Sequence, residues 1–115
     1  TLDEITELIP AAYNRFEQKR LEINFSSETK LYIKLNNTNY IEICFDGTKP
    51  RIVNSINNYT PRVEYDLSIK LLKRILKGPR YAHWNNAEVG SHIKFKRVPD
   101  TFERALYHTI CFFHA

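Results

Sequence analysis

The chain has 115 residues, the size of one domain with one core; at that length folding buries about two-thirds of the unfolded surface without disulfides or metals. Its 43% hydrophobic and 26% charged residues exclude wholesale disorder. The formal net charge is only +4, and the apolar runs fall well short of the roughly 20 residues a membrane span needs.

The opening Thr1-Leu2-Asp3-Glu4 is acidic where a secretory signal would be basic. The chain contains no methionine, so a further segment is expected ahead of Thr1, making this the closing part of a longer protein. Thr1-x-x-Glu4 has the form of a capping box before Leu2, Ile5, Leu8, Ile9, Ala12 and Phe16, a helical spacing. That helix is expected to run to about Lys19, kinked or broken at Pro10.

From Leu21 the apolar period changes to two: Leu21, Ile23 and Phe25, then Leu31, Ile33 and Leu35, then Tyr40 to Phe45. Asn36 to Asn39 should join two antiparallel strands, and Asp46-Gly47 is a turn signal. Arg51 to Val53 and Arg62 to Asp66 add short strands on either side of an Asn/Ser-rich loop over 54–60, so the middle of the chain reads as an antiparallel meander. Leu67 to Lys77 is helical, with Asp66 or Ser68 as N-cap and Gly78-Pro79 as the stop. Val89 to Arg97 alternates again, with Ile93 and Phe95 on one face. Asp100-x-x-Glu103 should cap a last helix that buries Phe102, Ala105, Leu106, Thr109, Ile110 and Phe113. The order predicts an α+β domain, an antiparallel β-sheet covered on one face by helices.

Cys44 and Cys111 lie far apart, each in an apolar run, and read as buried free thiols of a reducing, cytoplasmic setting. Sequons at Asn24, Asn36 and Asn58 would matter only in a secreted eukaryotic protein. Lys70, Lys73, Arg74, Lys77 and Arg80 form a basic face with no intervening acid, the spacing either of a solvated outer helix face or of a contact to RNA, DNA or lipid headgroups. No aromatic lies between them to stack a base, which disfavours nucleic acid. His83, His92, His108 and His114 lack any H-x-H, H-E-x-x-H or C-x-x-C spacing, so no metal or other cofactor is expected in this chain. Ser91 lies in Gly90-Ser91-His92 without a G-x-S-x-G elbow, and the three glycines fit turns or caps, so the chain alone is not expected to be an enzyme. The densest polar stretch is His83 to His92, with the only tryptophan, two adjacent amides, a carboxylate and two imidazoles. It is either a docking or cavity-lining loop or a turn whose amides satisfy buried backbone.

The run H-W-N-N-A-E-V-G-S-H-I-K-F-K-R, followed by V-P-D-T-F-E-R-A-L-Y and a closing C-F-F-H-A, resembles the C-terminal region of certain metallo-β-lactamase-fold proteins. These are metal-dependent hydrolase-like proteins that sometimes carry a Rieske iron–sulfur domain and relate to sugar-nucleotide hydroxylases. The likeness covers residues 80–115 in its motifs and the earlier part in layout. The family's metal ligands belong to an upstream H-x-H-x-D-H domain, and no such motif occurs here, so no catalytic residue carries over. The resemblance implies a non-catalytic accessory domain of a hydrolase-like or Rieske-type oxygenase protein, touching that upstream domain, a homodimer mate or the substrate side. His83, Trp84, Asn85, Asn86, Glu88, Ser91, His92 and Arg97 would face the partner, with Trp84 and Asn85 as anchor and Gly90 a further signature position. The layout also looks like the sterol-carrier-protein fold, which implies a stand-alone alternative: a tunnel for an apolar, lipid-like ligand lined by Phe25, Ile33, Phe45, Leu72 and Phe113. The simpler reading of those five residues is core.

Overall fold

The computed structural model describes residues 2–56, 60–78, 80, 84, 93–99 and 103–114. Helix α1 (Leu2–Glu22) is followed by strands β1 (Ser27–Lys34), β2 (Tyr40–Phe45), β3 (Arg51–Val53) and β4 (Arg62–Asp66), then helix α2 (Ile69–Lys77), strand β5 (Lys94–Val98) and helix α3 (Arg104–Ile110). The α+β class read from the sequence is the observed one.

Helix α1 is longer than its expected end at Lys19, and it continues through Pro10. Pro10 is exposed while Ile5, Ile9, Ala12 and Phe16 are buried, so the missing backbone donor falls on the solvated side of the helix. The strand expected from Leu21 is the helix's last turn instead. Asn24 adopts φ +53°, its N–H bonds the Leu21 carbonyl (3.1 Å), and the Phe25 N–H bonds the Arg20 carbonyl (3.0 Å). That pair of bonds is a Schellman closure with asparagine in the usual glycine place, and it leaves Leu21 exposed.

Strands β1 and β2 pair antiparallel around a turn in which the Asn36 side-chain oxygen accepts from the Thr38 and Asn39 N–H groups, each at 2.8 Å. The next turn has Gly47 at φ +93°, a region open to glycine at little cost, and Tyr13 of α1 donates to the Gly47 carbonyl (3.0 Å). β3 pairs antiparallel with β2. The meander then breaks: the strand order is β3-β2-β1-β4-β5, and β4 runs parallel to β1. The sheet is therefore mixed, where alternation alone suggested an all-antiparallel one. Period-two patterning reports which face a residue occupies and is silent on which strand it pairs with.

The register sorts the side chains. Leu31 and Ile33, Ile41 and Ile43, and Val63 and Tyr65 point to one face, where they join Ile5, Phe16, Leu72, Ile75, Leu106 and Phe113 in a single core. Helix α2 starts at Ser68, whose hydroxyl accepts from the Leu71 N–H (3.1 Å), and ends at Gly78, φ +127°. Helix α3 begins at Arg104; the carbonyl of its N-cap Glu103 accepts from the Leu106 N–H (3.0 Å), but the Glu103 side chain caps no helix amide. The Glu103 carboxylate instead accepts from the Ser27 hydroxyl (3.0 Å), tying the last helix to the start of β1. Among the described residues no helix is long and apolar enough to cross a membrane.

Candidate functional site: the polar sheet face

The sequence pointed first to Trp84. The structure buries it completely: its indole N–H donates to the Phe113 carbonyl (3.0 Å) and its ring lies 5.7 Å from that of Tyr65. An indole satisfied inside its own core is not available to anchor a partner, and Trp84 is corrected from an interface residue to a core residue. His83, Asn85, Asn86, Glu88, Gly90, Ser91 and His92 lie outside the described residues. Arg97 is half-buried on β5, its guanidinium 6.0 Å from the Tyr107 ring centroid, within cation–π range. An exposed large apolar residue of this region is Phe95, with 49% of its surface open on the outermost strand β5.

The five tunnel candidates sit together in or against the core. Phe45 and Phe113 each contact Phe16 edge-on, at 5.3 and 5.7 Å, and Phe25 contacts Phe45 at 5.7 Å, the geometry of interlocked core rings.

On the basic face, Lys70, Arg74, Lys77 and Arg80 are exposed. Lys73 is engaged, pairing with Glu4 of α1. The hydrogen bond and charge of Lys73 hold the Glu4 carboxyl below its ordinary value. One of the five cations is thus already neutralised within the chain.

A polar constellation not legible in the sequence lies on the sheet face turned away from the described helices. The register sets Arg51, Glu42, Tyr32, Glu64 and Lys96 in one row across all five strands. At its heart Glu42 is only 4% exposed and Tyr32 fully buried. The Tyr32 hydroxyl donates to Glu42 Oε2 (2.7 Å) and Arg51 Nε donates to Glu42 Oε1 (2.9 Å). Lys30 Nζ stands 3.9 Å from Oε2, and Arg62 Nε donates to Glu64 (2.9 Å). Burial pushes the Glu42 carboxyl up, but the bonds from Tyr32 and Arg51 and the charges of Lys30 and Arg51 outweigh it, and the net shift is downward. Glu42 is therefore a fixed anion and no proton donor at neutral pH. Cys44, on the same face, is a buried free thiol whose burial raises its pKa, which leaves it protonated and unreactive. Cys111 is half-buried and in no disulfide, and its thiol donates to the Tyr107 carbonyl (3.3 Å).

The signal for this cluster was present. In Tyr40-Ile41-Glu42-Ile43-Cys44-Phe45 a glutamate interrupts a run apolar on both faces, and a carboxylate in that position needs partners. Two clefts open beside it. One of about 610 Å³ is lined by Lys30, Asn39, Glu42, Arg51, Ile52, Val53, Asn54 and Ser55. The other, about 230 Å³, includes Tyr32, Tyr40, Lys34, Lys94 and Lys96. Among the described residues no group of three or more His, Cys, Asp or Glu side chains could hold a metal. Comparison with protein-family models, curated proteins and solved structures finds no match to this chain.

Proposed function

We propose that the chain is a non-catalytic accessory domain that packs against a preceding metallo-β-lactamase-fold, hydrolase-like or oxygenase domain of the same protein, with Phe95 near the centre of the contact. The observation that supports this is Phe95 itself. Its ring projects on the helix side of β5, beyond the cover of the core, with about half its surface in solvent (49%), and it belongs to the run that carries the family resemblance. Buried aromatics at interface centres are frequent anchors. The flanking Lys94 and Lys96 and the cap of Pro99 discourage strand-to-strand pairing at this edge, so contact is made through the face of β5.

The decisive experiment starts with the coding sequence ahead of Thr1. An in-frame stretch carrying H-x-H-x-D-H is expected, and its product, expressed separately, should bind this chain. Phe95→Asp should weaken that binding about tenfold or more while leaving the thermal unfolding of this chain in place. A start codon within a few residues of Thr1, or binding indifferent to Phe95→Asp, overturns the reading. Copurification of a lipid would then favour the apolar-ligand alternative. Salt-sensitive binding lost on charge reversal of Arg74 would favour nucleic acid.

A further inference from the structure

We propose that the cleft between β1, β2 and β3 is a binding site for the oxyanion, phosphoryl or carboxylate, of a small ligand, gripped by Arg51 and Lys30. The argument begins with the cost of Glu42. A cross-strand ion pair on an open sheet face needs no burial, yet Glu42 is 4% exposed, and a carboxylate removed from water is costly unless its bonds are well made. Its two oxygens are spent on Tyr32 and Arg51.

That arrangement fixes Arg51 by one nitrogen only. Nε donates to Glu42, and among the described residues Nη1 and Nη2 bond no protein group. The Arg51 side chain is 66% exposed despite its buried partner and lines the cleft, so a guanidinium tethered through Nε leaves its end-on pair of N–H groups for a ligand there. A guanidinium fork suits two oxygens of one oxyanion. Lys30 Nζ, at 3.9 Å from Glu42, is beyond hydrogen-bonding distance and keeps its donors. The cleft therefore holds two cations against one carboxylate, and an anionic ligand supplies the missing charge. Asn39, Asn54 and Ser55 add neutral donors at the rim, and about 610 Å³ lies in the range of small-molecule sites. The inference is independent of the accessory-domain reading, since neither Phe95 nor an upstream domain enters it.

The test is a titration of the isotope-labelled chain with inorganic phosphate and, separately, acetate at constant ionic strength, followed by amide NMR shifts. Saturable shifts are expected at residues 30, 39, 51, 54 and 55. Lys30→Gln should weaken the binding about tenfold, the worth of one charge-assisted bond. Arg51→Gln should abolish saturation. Arg51→Lys keeps a charge opposite Glu42 but loses the N–H pair, and should weaken binding with the β-sheet shifts intact, which separates ligand binding from folding. Arg74→Gln on α2 should change nothing. Tighter phosphate binding assigns a phosphoryl ligand and tighter acetate binding a carboxylate. No saturation with either ion into the tens of millimolar, or saturation that survives Arg51→Gln, overturns the proposal.

Discussion

The two faces of the sheet bury side chains by opposite means. On the helix side, Leu31, Ile33, Ile41, Ile43 and Phe45 meet helices and disappear into an apolar core, a stabilisation that scales with area and is indifferent to direction. On the other side, Tyr32 and Glu42 are buried just as deeply, but they are held by directional bonds and charge. The first kind of burial tolerates exchange of one hydrocarbon for another. The second fails when a single partner is removed. A polar cluster of that kind, facing a cleft, is where binding chemistry is to be sought.

The largest expected effect tests the apolar side. Trp84→Ala deletes a fully buried indole and frees the Phe113 carbonyl, and should cost about 3–5 kcal/mol in urea unfolding. Phe95→Ala, a half-exposed ring, should cost under about 1 kcal/mol by the same measurement. Equal losses at the two positions would contradict the placement of Trp84 in the core and Phe95 at its rim.

Next comes the polar side. Glu42→Ala removes the acceptor of the buried Tyr32 hydroxyl and should cost about 2–3 kcal/mol. Combined with Arg51→Ala in a double-mutant cycle, the two losses should fall short of their sum, because they remove one shared bond. The same group sets a pH signature. Glu42's folded pKa lies below its ordinary 4.5, so the folded state binds this proton less readily than the unfolded chain. Its contribution is complete above about pH 4.5 and is lost as pH falls through the lower folded value. Glu42→Gln should flatten stability between pH 6 and 3 relative to the parent chain. An unchanged acid limb would show that Glu42 is not held as an anion.

How far the sequence disclosed each face follows from the same physics. Apolar alternation in Leu31-Ile33-Leu35 and Tyr40 to Phe45 located the strands, and Ser68 and Gly78 located α2, because those signals are local. The parallel pairing of β1 with β4 was not legible, since nothing in Arg62 to Asp66 states which neighbour it will meet. The burial of Trp84 is hidden for a related reason: a tryptophan among amides and histidines looks like a contact surface until the fold brings Tyr65 and Phe113 to it. The Glu42 cluster is not legible in the sequence because Tyr32 and Arg51 reach it only across two strand pairings.

Asn24 gives the smallest effect and bears on how the faces are assigned at all. Period-two alternation extends back to Leu21 in the sequence, whereas the helix runs to Glu22 and closes on the left-handed Asn24. That closure sets where the chain leaves α1, and hence which residues of β1 turn inward, because a slip of one residue exchanges the faces. Asn24→Ala should therefore cost about 1 kcal/mol, the penalty of a Cβ-bearing residue without a polar side chain in that conformation. Asn24→Gly should be neutral or slightly stabilising, as glycine adopts it freely. Thermal unfolding of both variants decides the matter. If alanine and glycine behave alike, the helix is not ended by the backbone conformation of Asn24, and the register of β1 must be set by its own bulge between Ser27 and Leu31.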